Sequence, residues 1–84
     1  MFRVELTRKA RRGIAALPDS ARDRVLRAIH ALGEEPRPRG VKKLRQRAQW
    51  RIRVGDYRVI YSIFDVDEVI VVNHVARRTT TTYD

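Results

Sequence analysis

The sequence predicts an α+β fold: an N-terminal strand and a helical hairpin, then an antiparallel four-stranded sheet, in the order β-α-α-β-β-β-β. Apolar residues recur at helical spacing through residues 10–32 and alternate every second position through most of residues 50–64. A stiff Pro- and Arg-rich connection separates the two regimes, so helices and strands are segregated rather than interleaved. At 84 residues the chain has room for a single domain, 1–84, with one modest core.

Taken in order, Phe2, Val4 and Leu6 alternate with Arg3 and Glu5 and predict a short first strand. Thr7 is a suitable N-cap for a helix running to about Leu17, in which Ala10, Ile14 and Leu17 follow i, i+4, i+7 spacing. Leu17-Pro18-Asp19-Ser20 breaks that helix. Ser20 with Asp23 resembles a capping box for a second helix ending near Gly33. Its expected buried stripe is Val25, Leu26, Ile29 and Leu32, with Arg22, Arg24 and Arg27 largely solvated. Residues 35–40 form the connection, and residues 41–45 are expected to be a strand.

The most informative segment is Trp50-Arg51-Ile52-Arg53-Val54-Gly55-Asp56-Tyr57-Arg58-Val59-Ile60-Tyr61. It reads as two strands joined by a tight Gly55-Asp56 turn. The second strand is expected to extend through Ile63 or Phe64. Asp65-Val66-Asp67 then turns the chain. Residues 69–75 are a nearly continuous β-branched run, which suits a strand covered on both faces. The tail from Arg77 to Asp84 carries no strong periodicity.

Composition narrows function. The 19 Lys and Arg against 10 Asp and Glu leave a net charge of +9, most of it from Arg, whose planar fork suits bidentate phosphate binding. Nucleic acid is the first inference, an acidic protein partner the second, a membrane surface a distant third. There is no Cys, which excludes disulfides and Cys-based metal sites, and two His argue against a structural zinc. With no apolar signal core at the N-terminus and no stretch long enough to span a bilayer, the expected location is cytoplasmic.

If Val54 pairs with Tyr57, then Arg53 lies opposite Arg58 and Arg51 opposite Ile60. Trp50, Ile52, Val54, Tyr57, Val59 and Tyr61 would then line an apolar face. Arg51, Arg53 and Arg58 would line the other, with no carboxylate among them. Like charges facing each other on a sheet are destabilising. Most charge runs are only solvated surface, but a cluster held on strands without carboxylates suits a polyanion. Arg77 and Arg78 leave the last strand and Tyr83 follows; a tyrosine there can stack on an RNA base or exchange a proton with a ribose hydroxyl. His74 sits in an apolar run and reads as a satisfied core histidine. His30 lies near the end of the second helix, where a cation favours the dipole.

Together these features resemble the RelE/ParE superfamily of bacterial and archaeal type II toxins over almost the whole chain. The residues that carry the resemblance are Leu6-Thr7, Ala16-Leu17-Pro18, Pro36 followed by Gly40-Val41-Lys42-Lys43-Leu44, the segment 50–61, and His74-Val75-Ala76-Arg77-Arg78 before Tyr83. The resemblance implies a RelE-like microbial RNase fold. It also implies an mRNA interferase: an endoribonuclease that cuts messenger RNA in the ribosomal A site. The ribose 2′-hydroxyl attacks the adjacent phosphate, with no metal or cofactor.

Family catalytic positions map onto Arg51, Arg53, Arg58, Arg77 and Tyr83. Lys42, Lys43, Arg45, Arg47 and Arg78 are the expected RNA- and ribosome-binding residues. Arg58 and Arg77 would meet transition-state charge, and Arg51 and Arg53 the scissile and flanking phosphates. Where many RelE-type toxins carry lysines on the first hairpin strand, this chain has arginines. Arginine does not deprotonate in a protein, so neither Arg51 nor Arg53 can be the base.

The implied partner is a cognate acidic antitoxin, RelB-like or similar, whose helix folds into the groove between the helical hairpin and the sheet. Two other functions remain open from the sequence: a ParE-like DNA gyrase poison, and a non-catalytic ribosome- or nucleic-acid-binding domain.

Overall fold

The computed structural model describes residues 1–45 and 48–78. The elements are β1 (Arg3–Leu6), α1 (Arg8–Ala15), α2 (Asp19–Leu32), β2 (Lys42–Lys43), β3 (Gln49–Val54), β4 (Tyr57–Phe64) and β5 (Val69–Arg77), in the expected order.

Thr7 caps α1 as expected: its hydroxyl accepts from the Ala10 N–H at 3.1 Å and donates to the Asn73 carbonyl at 3.1 Å. One side chain therefore starts the helix and ties it to β5. α1 stops at Ala15, short of Leu17, though Leu17 is still buried.

The Ser20–Asp23 capping box does not form. α2 starts at Asp19 with Pro18 in the N-cap position and no side-chain cap. Pro18 presets φ at −58°, and the Asp19 carboxylate favours the helix dipole from the first turn. Arg22, expected in solvent, instead reaches back across the break. Its guanidinium donates to the Leu17 carbonyl at 2.9 Å and the Ile14 carbonyl at 3.4 Å, and pairs with Asp19 at 3.1 Å. It thus takes up the Leu17 carbonyl and adds a second donor to the Ile14 carbonyl, which also accepts from the Leu17 N–H at 3.1 Å. Val25, Ile29 and Leu32 are buried at i, i+4, i+7 spacing, whereas Leu26 is 39% exposed and stands outside the stripe.

The sheet has five strands in the order β1-β5-β4-β3-β2. It is mixed, since β1 lies parallel to β5 from Arg3↔Val69 to Leu6↔Val72 and the other pairs are antiparallel. Alternation identified β1 as a strand, but alternation carries no information about which edge a strand joins. The helical hairpin is the crossover that makes a parallel pairing possible.

The β3–β4 register is the expected one: Val54↔Tyr57, Arg53↔Arg58 and Arg51↔Ile60. Gly55 takes φ +61° at the turn. β2 shrinks to two residues, Lys42 and Lys43, paired with Arg51 and Trp50.

β5 departs from strict alternation. Its pairing with β4 slips between Ile60↔His74 and Tyr61↔Val72, so Asn73 is an extra, bulged residue. Val72 and Val75 are consequently both buried although three positions apart. The expectation that both faces of this strand are covered is not met. The helices lie on one side, and Val71, His74 and Ala76 stay partly exposed.

The core joins α1, α2 and the helix-facing side of the sheet, with Tyr61, Leu32, Ile70, Val25, Val59 and Val72 fully buried. The Tyr61 hydroxyl donates to the Pro36 carbonyl at 2.7 Å and pins the connection. Trp50 packs partly buried against this core, with Arg37 at 5.0 Å and Lys43 at 5.7 Å from its ring centre.

Candidate nucleic-acid interface

The registers assemble two cross-strand rows on the sheet face turned away from the core. One runs Lys42–Arg51–Ile60–His74 across β2, β3, β4 and β5; the next runs Arg53–Arg58–Ala76 across β3, β4 and β5. Neighbouring strands stand about 4.8 Å apart, so backbone pairing makes Lys42 and Arg51, and Arg53 and Arg58, direct neighbours. A concavity opens beside them at the β2–β3 edge, lined by Arg39, Gly40, Val41, Lys42, Arg51, Ile52 and Arg53. Four of its seven lining residues are cationic and none is acidic. That is the composition an anionic backbone fits.

The arginines of this face are not equivalent. Arg53 is exposed and Arg58 partly exposed, but Arg51 is only 4% exposed, which departs from the open position expected of it. The Nε atoms of Arg51 and Arg58 are both shielded from solvent. Lys42, Arg51, Arg53, Arg58 and Arg78 each make polar, ring or electrostatic contacts.

Two expected members fall elsewhere. Arg77 pairs with Tyr57, which puts it in register with the helix-facing side, and it borders a concavity with Gly13, Leu17 and Pro18. Arg78 follows, its N–H donating to the Asp56 carbonyl at 2.7 Å, so the next turn of alternation returns to the Arg58 side at the hairpin end. Lys43 stands over Trp50, away from the arginine rows. Arg45 is exposed just after β2. Arg47 and Tyr83 lie outside the described residues.

His74 is another residue that sequence reasoning placed wrongly. Strict alternation over 69–75 would align it with Ile70 and Val72 in the core. The Asn73 bulge turns it instead to the arginine side, opposite Ile60. Partial burial first, then repulsion by Lys9 and Arg58, hold its imidazole below the usual 6.5. No sequence signal marked the bulge, because Asn73 fits a strand edge as well as a bulge.

A profile of the family described as "ParE toxin of type II toxin-antitoxin system, parDE" matches residues 4–81. The chain belongs to the RelE/ParE superfamily of type II toxins. Two solved structures of this superfamily are similar beyond the fold. The RelBE2 toxin-antitoxin complex from Mycobacterium tuberculosis matches at 31% identity and TM-score 0.82, over 92% of this chain and 98% of that one. The archaeal RelE-RelB complex from Pyrococcus horikoshii matches at 32% identity and TM-score 0.84, over 95% and 98%. The RelBE complex of E. coli, at 21% identity and TM-score 0.81 over 94% and 99%, shares the fold. No curated protein matches the sequence. Among the described residues of this toxin, no helix is long and apolar enough to cross a membrane, and no group of three or more His, Cys, Asp or Glu side chains could hold a metal ion.

Proposed function

We propose that this toxin is a ribosome-dependent endoribonuclease that halts translation in the cytoplasm by cutting messenger RNA in the ribosomal A site, without metal or cofactor. The observation that carries the reading is the Arg53↔Arg58 pair, two guanidinium groups at facing positions of one hairpin beside the Arg39, Lys42 and Arg51 concavity. Facing like charges oppose folding. A bound phosphate offsets that repulsion.

The chemistry follows from charge. In-line attack by the 2′-hydroxyl builds a phosphorane whose oxygens carry more negative charge than the diester. Guanidinium groups fixed beforehand stabilise that state more than the ground state. Arg58 and Arg53 take this role. Lys42 holds a flanking phosphate, with the largely enclosed Arg51 adding its charge to the same concavity, and Arg45 and Arg78 extend the basic track along the RNA. Register does not favour Arg77 for transition-state charge. Tyr83 would stack on a base.

Family membership and the RelB-bound relatives support a cognate antitoxin as partner. An acidic segment laid across the open sheet face would cover this surface, whereas one in the groove between the helical hairpin and the sheet would lie on the other side of it.

The test is translation reconstituted with ribosomes and a defined message. The wild type should cut it, and Arg58→Ala should cut about 10²–10³-fold more slowly. The matched family is described as a ParE toxin, which keeps one other reading open, a DNA gyrase poison. Gyrase-dependent double-strand breaks with intact messages would replace the nuclease reading with that one.

A further inference from the structure

The arginines of the face hold their protons at any physiological pH, so the attacking 2′-hydroxyl needs another base. We propose that His74 is that base: its imidazole, at the end of the row Lys42–Arg51–Ile60–His74 and one row from Arg58, accepts the 2′-hydroxyl proton. This rests on the endoribonuclease reading above.

Placement carries the inference. The bulge at Asn73 takes a histidine out of the core and sets it, partly exposed, on the phosphate-binding side. It stands diagonal to Arg58 on the neighbouring strand, about 7–8 Å away by ordinary sheet geometry, and two strands from Arg51, about 10 Å. A base and the cations that grip the phosphate must be close but separate.

The charged groups facing it come from two elements, Lys9 on α1 and Arg58 on β4. On β1, also packed against β5, Arg3 and Glu5 are bonded to each other at 2.9 Å. Burial and the two cations keep the imidazole neutral near pH 7, with a lone pair available. The phosphorane's charge then stabilises the imidazolium as it forms.

In the step itself, His74 takes the hydroxyl proton while O2′ bonds to phosphorus. The P–O5′ bond breaks with its electron pair on O5′, which is protonated by water, and the imidazolium returns its proton to solvent. The products are a 2′,3′-cyclic phosphate and a 5′-hydroxyl, with no other reactant consumed.

The test is single-turnover cleavage of ribosome-bound message by wild type, His74→Gln and His74→Ala, from about pH 5 to about pH 9. Both variants should lose about 10²–10⁴-fold in rate while sedimenting with ribosomes as the wild type does. The acid limb of the wild-type profile should vanish in His74→Gln, and added imidazole should restore His74→Ala. Circular dichroism checks that each variant is folded. A folded His74→Gln cutting at the wild-type rate with the same acid limb would overturn the role and leave the nuclease reading standing. Should both variants fail to fold, a wild-type rate that is flat below pH 7 would overturn it. A wild type that leaves the message whole would remove the nuclease reading, and this role with it.

Discussion

Gly13 of α1 lies so close to the Val75 carbonyl of β5 that no Cβ fits between them. β1 covers the β5 edge only as far as Leu6↔Val72. From there the Thr7 N–H bonds the Val72 carbonyl at 3.0 Å, and α1 takes over the next stretch of the strand. The same contact brings Lys9 within electrostatic reach of His74.

Gly13→Ala should therefore destabilise the fold. Alanine is the better helix former by up to about 1 kcal/mol. The added methyl meets backbone on another element, and overpacking of that kind costs about 1–3 kcal/mol. Scanning calorimetry should show a fall in Tm of several degrees. An unchanged Tm would mean that α1 can lift away from β5 freely.

Arg22→Ala should cost about 1–3 kcal/mol, because it leaves the Ile14 and Leu17 carbonyls short of a charged donor at a helix break. The exposed pair with Asp19 adds little. Urea unfolding of Arg22→Ala beside Asp19→Ala separates the two contributions. Arg22→Ala should shift the midpoint far more.

The Tyr61 phenol is pushed up to about 12 by burial, with Arg37 pulling weakly the other way. Its folded pKa lies above the unfolded value near 10, so its contribution is fully present below about pH 10 and disappears as pH rises toward 12. Absorbance titration at alkaline pH should reveal one late-ionising tyrosine, missing in Tyr61→Phe. That variant should also lose about 0.5–1.5 kcal/mol with the Pro36 bond.

Arg53→Gln should split stability from activity. Removing one of two facing like charges relieves about 0.2–1 kcal/mol of repulsion, offset by the contacts Arg53 itself makes. Stability should therefore change little, and the relief should fade as salt screens the pair. Message cleavage should fall. Denaturation at low and high ionic strength, paired with the cleavage assay, checks both halves. A marked loss of stability would mean that Arg53 holds the hairpin together.

Much of this fold was legible because its signals are local. Thr7 announces a helix start, Gly55-Asp56 a tight turn, and alternation through 50–61 places Arg53 opposite Arg58 and Arg51 opposite Ile60. Most of the misses share a cause, which is that the deciding contact is distant in sequence; Leu26 is a matter of local period. Arg22 looked solvated because the carbonyls it serves belong to the preceding helix end. Leu26 looked buried because one stripe can be drawn through it as well as through Val25. The family resemblance gave Arg77 a share of the transition-state charge, and its pairing with Tyr57 puts it in register with the helix-facing side instead.

By itself the chain determined the kinds of its elements, the hairpin register and the excess of guanidinium on one side of it, since spacing and turn chemistry act between near neighbours. Tertiary packing alone decided that β1 joins β5 in parallel, that Arg51 is enclosed, and that His74 leaves the core. Those outcomes depend on which edge a strand meets and where one extra residue is absorbed, and no local period encodes either.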